Sequence, residues 1–116
     1  MKIYFEKDQL AQFFPAGHVV FRTGDRGDMM FGVIAGSVEI MIHGAVVETV
    51  EAGGVFGEMA LVEDQPRVAT AIVKSDATLA LIHRARFVFL VQQNPYFALQ
   101  VMTVMSARLR RMDEKL

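Results

Sequence analysis

Cysteine is absent from this 116-residue chain, and with it go a disulfide framework, a thiolate nucleophile and a thiolate metal site. Neither sign of charge prevails, because twelve Lys and Arg stand against thirteen Asp and Glu. A surface of that kind neither attracts a polyanion as a whole nor repels one, so any recognition must be local. No apolar stretch approaches the roughly 20 residues that cross a bilayer. The opening MKIYFEKDQLAQFF carries no apolar core ahead of a small-residue cleavage site, which leaves a soluble cytoplasmic protein without membrane contact as the expectation. Repeats, linkers and low-complexity tracts are missing too.

What is present is apolar residues, 53% of the total. That is enough for one continuous core, and a single domain over residues 1–116 is expected. From Phe13 to Ile82 short β-branched and aromatic runs are broken by Gly, Asp and Pro, the pattern of an antiparallel sandwich or barrel. Strands are expected over His18 to Arg22, Met29 to Ile34, Ser37 to Ile42, Ala45 to Val50, Val68 to Lys74 and Thr78 to Ile82. Val38, Ile40 and Ile42 share one face of their run, and His43-Gly44 supplies a two-residue turn into the next. Asp25 and Asp28, each beside a Gly, read as turn formers.

Past Ile82 the apolar period lengthens from two to about 3.6, and Phe87, Leu90 and Val91 fall on one helical face. Asn94-Pro95 ends that short helix and opens a long one, since Pro disfavours helix in the residue before it and suits the first turn of its own. Along the long helix Val101, Met105, Leu109, Met112 and Leu116 form a seam. Such a seam packs either on its own domain or on a second copy of the chain, so a homodimer through this helix is one expectation.

The chemistry concentrates in Gly53-Gly54-Val55-Phe56-Gly57-Glu58-Met59-Ala60-Leu61 and, after a polar stretch, Pro66-Arg67-Val68-Ala69-Thr70-Ala71. The glycines allow tight turning, and the residues after Glu58 open a short helix whose first N–H groups lack partners. A helix start favours anions, and Arg67 adds a forked cation that suits a phosphate ester. Glu58 would repel such an anion unless the ligand also offers hydroxyl donors, as ribose does. The plainer reading is a surface salt bridge between Glu58 and Arg67, of little consequence for stability. A P-loop is excluded because no Gly-Lys-Ser/Thr follows the glycines, and no GxGxxG opens a long helix.

The string FGEMALVEDQPRVATA, Phe56 to Ala71, resembles the phosphate-binding cassette of cyclic-nucleotide-binding domains, the β-roll modules of protein kinase A regulatory subunits, the catabolite activator family and cyclic-nucleotide-gated channels. Pro15-x-Gly17, Gly24-Asp25, Gly36-Ser37-Val38, Phe87 and Asn94-Pro95 extend the likeness along most of the chain. The resemblance implies a mainly β fold with C-terminal helices. Its core would be an eight-stranded antiparallel β-roll, a jelly-roll-like double-stranded β-helix, followed by a short helix and a long one. By the same likeness Glu58 would accept from the ribose 2′-hydroxyl and Arg67 would pair with the cyclic phosphate. Backbone N–H groups of Gly57, Met59, Ala60 and Val68 would complete the anion nest. The base would lie against Ile40 and Val47, with Met112 capping it by packing.

Two departures bear on specificity. Relatives that prefer cGMP resemble one another in having Thr after the cassette Arg, where this chain has Val68, so cAMP is the expected ligand. The Thr-Ser pair with which the catabolite activator touches adenine falls on Met112 and Asp113, and no helix-turn-helix follows Leu116. The expectation is thus a regulatory sensor without cofactor or catalysis, cAMP being its ligand and an effector protein its reader, with no DNA-binding element. An enzyme of the cupin type would need clustered histidines, whereas His18, His43 and His83 stand singly, and no nucleophile has an adjacent base. A dimerisation or docking module that no longer binds nucleotide is the other reading. It sits poorly with Glu58 and Arg67, which would be left as buried charges without their ligand.

Overall fold

The computed structural model describes residues 11–114, with side chains through residue 111. In chain order its elements are β1 (Ala11–Phe14), β2 (Val19–Phe21), β3 (Met29–Ile42), β4 (Ala45–Glu51), β5 (Val55–Phe56), α1 (Met59–Val62), β6 (Thr70–His83), α2 (Arg84–Gln93) and α3 (Tyr96–Glu114). The strands make one antiparallel sheet. In it β6 lies between β1 and β3, β4 flanks β3, β2 pairs with β6 and β5 pairs with β3.

The hairpin forms where the alternation places it. His43 (φ 52°) and Gly44 (φ 78°) both take the left-handed conformation, which a two-residue turn needs if it is to match the twist of its strands. The strand count is a correction: six strands lie among the described residues, not eight. The expected pairs Met29 to Ile34 with Ser37 to Ile42, and Val68 to Lys74 with Thr78 to Ile82, are each one long bent strand. β3 and β6 slip in register between Val33 and Val38 and then resume pairing, so the sheet bends without ending. At the bend Gly36 (φ 83°) lies so close to Asp76 and Ala77 that a Cβ there would stand 2.7 Å from Ala77 Cα. Ser37 and Ser75 share a hydroxyl hydrogen bond of 2.8 Å across it.

Period two explains why one sheet supports two cores. Successive side chains leave a strand on opposite faces, so Phe31, Phe56 and Leu79 enter one cluster while their neighbours Met30, Val55 and Ala80 enter another. The first cluster lies within the sheet, and the second receives the helices through Phe97 and Val101. Each large side chain so buried contributes about 1.5–3 kcal/mol.

The helix boundary at Asn94-Pro95 is as expected. The Asn94 side chain accepts from Tyr96 N at 3.2 Å, and Phe87, Leu90 and Val91 pack on the second core. The seam of α3 needs correction. Val101 and Met105 turn inward onto that core, whereas Leu109 is 62% exposed. The Met112 side chain and Leu116 lie outside the described residues. An ideal helix advances 3.6 residues per turn, so a stripe stepping mostly by fours drifts round the helix instead of holding one face.

Candidate functional site

Phe56 is anchored in one core and Leu61 in the other, and the chain crosses between them at Gly57 and Glu58. Gly57 takes φ 75°, a conformation that costs a residue with a Cβ roughly 1–2 kcal/mol. The turn leads into α1, for which Glu58 is the capping residue.

Arg67 comes to the same turn from the other side. Its Nη1 donates to Gly57 O at 2.9 Å and its Nη2 to Met29 O at 2.7 Å, while the guanidinium lies 4.1 Å from the centre of the Phe21 ring. Its Nε is buried and has no hydrogen-bond partner. The main chain is held too: Arg67 N donates to Asp25 O and Gly24 N to Arg67 O, both at 2.8 Å. The turn at Asp25 is therefore a strut for the site, and Asp25 Oδ2 also accepts from Arg22 N at 2.9 Å. A side chain at Gly27 would collide with the Arg67 guanidinium, which explains a glycine there. Burial pushes the Arg67 pKa down, opposed by the charges of Asp28, Glu58 and Asp25.

Glu58 is 5% exposed. No salt bridge joins it to Arg67; its partner is Arg108 of α3, whose Nη1 donates to Glu58 Oε1. Arg108 also grips Glu48 of β4 with two parallel bonds, Nε to Oε1 at 2.8 Å and Nη2 to Oε2 at 3.0 Å, and donates to Val55 O. Burial works against the Arg108 charge, yet its hydrogen bond to Glu48 and the charges of Glu58 and Glu48 outweigh it, and its pKa is raised. Paired charge-assisted bonds of this kind are the strong class. A groove of about 340 Å³ runs between α3 and the chain from Glu48 to Val55, with Arg108 and Arg111 on its wall.

The other sequence-predicted residues divide. Gly57 and Ala60 stand at the turn with Glu58 and Arg67, and Ala60 is buried. Met59 (41%) and Val68 (71%) are exposed beside it. Ile40 and Val47 are half-buried on β3 and β4. The Met112 side chain is not among those described. Arg108 and Glu48 were missed. Arg108 left a signal, since it continues the inward stripe Phe97, Val101, Val104 and Met105 at helical spacing.

Among the described residues no group of His, Asp and Glu could hold a metal ion, and no helix is long and apolar enough to cross a membrane. Fold and site define an antiparallel β ligand-binding module in which a buried carboxylate and a half-buried guanidinium flank one glycine turn. The chain belongs to the cyclic nucleotide-binding domain family, whose model matches residues 11–94. It is 39% identical over 88 residues to a cyclic nucleotide-gated potassium channel of Mesorhizobium japonicum, covering 76% of this chain and 24% of the channel. A cAMP-dependent protein kinase regulatory subunit of Emericella nidulans is 34% identical over 76 residues, 64% of this chain and 18% of that protein. The Thermus thermophilus catabolite activator protein superimposes with a TM-score of 0.81 at 26% identity, over 92% of this chain and 53% of that one. The fold is thus that of the catabolite activator, mainly antiparallel sheet with C-terminal helices. The chain spans a quarter or less of the channel and the kinase subunit.

Proposed function

We propose that this chain binds one cyclic nucleotide, cAMP in preference to cGMP, as a non-catalytic regulatory module whose ligand repositions α3. The observation that carries the reading is Arg67: a half-buried guanidinium whose buried Nε is unpartnered, one turn from a buried carboxylate. A cyclic phosphate supplies the acceptor that Nε lacks, and a ribose hydroxyl supplies a donor for Glu58. Backbone N–H groups at Gly57, Met59 and Val68 complete the anion site, with Ala60 N, turned to Gly57 O at 3.4 Å, beside them, and Ile40 and Val47 flank the base. Titration calorimetry with cAMP, cGMP and a cyclic dinucleotide tests this directly. One site per chain and tighter binding of cAMP are expected, and Val68→Thr should narrow the preference by giving a guanine amino group a partner. Equal or tighter binding of cGMP by the parent would remove Val68 from the account of specificity.

Glu58 is already held by α3 through Arg108, so a ribose arriving at this carboxylate meets the helix as well. Ligand and helix position are then linked, provided affinity differs between the two positions. Hydrogen exchange over residues 101–111 should change on saturation with cAMP; identical protection would rule α3 out as the reporter. The outer face of α3 exposes Tyr96 (72%), Leu99 (56%), Met102 (59%) and Leu109 (62%), spaced by three, three and seven. This face, not the seam of Val101 and Met105, is the surface for a second copy or an effector protein, and sedimentation velocity distinguishes monomer from dimer.

A further inference from the structure

Glu48 belongs to none of the roles above, yet among the described residues it is the carboxylate with the most ionic contacts. Its side chain is only 16% exposed on a strand whose adjoining residues Val46 and Thr49 face solvent. Period two sets Glu48 on the face of the buried Val50, and a bulge just beyond it turns Val46 away. Ile40 pairs with Glu48 and the next residue, Met41, with Val46, so Val47 has no partner across the ladder. A bulge re-aims side chains locally, and here it lets Val47 and Glu48, adjacent in sequence, both be half-buried. Glu48 then receives two arginines that lie one turn apart on α3: Arg108 through the paired bonds of 2.8 and 3.0 Å, and Arg111, whose Nη2 is 3.4 Å from Oε1.

We infer that Glu48 is a positioning residue for ribose recognition: it fixes the Arg108 guanidinium, which holds Glu58 Oε1 and so presents the other oxygen of Glu58 to the ribose 2′-hydroxyl. The order of contacts is Glu48 to Arg108 to Glu58 to ligand. A guanidinium is planar and its donors point in fixed directions. Once Nε and Nη2 are committed to Glu48, the guanidinium plane is set and with it the directions of the two Nη1 hydrogens, and Nη1 donates to Glu58. Without Glu48, Arg108 keeps its bonds to Glu58 and Val55 O but loses the paired grip that sets its plane, and the Glu58 carboxylate turns with it.

The inference rests on cyclic nucleotide binding at Glu58, and its test separates the two claims. Calorimetry is run on the parent, on Glu48→Gln and on Arg108→Lys with cAMP and with 2′-deoxy-cAMP, folding being checked by circular dichroism melts. Glu48→Gln keeps the shape and removes the charge. It should weaken cAMP about fivefold, a coupling usual for members of one ionic network, and change 2′-deoxy-cAMP by less than about twofold. Arg108→Lys, which keeps the charge and loses the fork, should give the same dependence on the 2′-hydroxyl. If Glu48→Gln weakens both ligands equally, or neither, Glu48 serves only to fasten α3 and the inference is overturned while nucleotide binding stands. If the parent binds neither ligand, the cyclic-nucleotide reading falls and this one with it.

Discussion

Replacing Arg67 by Ala should weaken cAMP binding by at least one to two powers of ten while the protein stays folded. The magnitude follows from the charge: a hydrogen bond to a charged group contributes roughly 1.5–3 kcal/mol, and each 1.4 kcal/mol is tenfold in affinity. Arg67 would meet the formal charge of the cyclic phosphate, whereas Glu58 would accept from a neutral hydroxyl, so Glu58→Gln should cost less. Arg67 also donates to Gly57 O and Met29 O and balances Asp28, Glu58 and Asp25, so some loss of stability accompanies the loss of binding. Calorimetry paired with circular dichroism separates the two. An Arg67→Ala protein that is folded and binds cAMP like the parent would place the phosphate elsewhere and end the present reading of the site.

Gly36→Ala should be the most damaging small substitution in the sheet. Two costs add. The left-handed conformation at φ 83° is unfavourable for alanine by about 1–2 kcal/mol, and the new methyl would meet the main chain of Asp76 and Ala77, which has no rotamer with which to yield. Overpacking of this kind costs a further 1–3 kcal/mol or so. With about 3 kcal/mol lost, the melting temperature should fall by roughly 10 °C. Gly44→Ala, where φ is 78° but nothing lies within 4 Å of the added carbon, isolates the conformational part and should cost less than half as much. Equal losses at the two positions would mean that the close approach at the bend is not what demands glycine.

The sequence was legible wherever a local rule governed. The turn at His43-Gly44, the break at Asn94-Pro95 and the change of period after Ile82 each depend on a few neighbouring residues, and each appears in the structure. The cassette was legible as a string, and Gly57, Glu58 and Arg67 do come together. Three things were not. The bends of β3 and β6 read as strand ends because Gly36 and the Ser75-Asp76 pair look like turn residues; that they bend a continuing ladder depends on each strand having the other beside it. Arg108 was passed over for Leu109 in the α3 seam, since apolar patterning cannot recognise a charge that turns inward to meet two carboxylates from distant strands. Glu48 shares the face of the buried Val50 by period two, but no local pattern shows that arginines of α3 come to meet it there.

The pairing of β3 with β6 also sets an order of events as the chain is made. Met29 to Met41 find their partners in Thr70 to His83, and β1 must wait for the same strand, Ala11 pairing with Ala80. Of the sheet, only the β3–β4 hairpin and the short β3–β5 contact can close before β6 emerges. Distant pairings of this kind close slowly, because loop entropy is lost before any contact repays it. Arg67 enters just ahead of β6, and Arg108 follows near the end of the described chain. A nascent chain therefore presents Glu58 and Glu48 without their α3 partner until Arg108 has emerged, and competence to hold a ligand should arise in one step with the docking of α3.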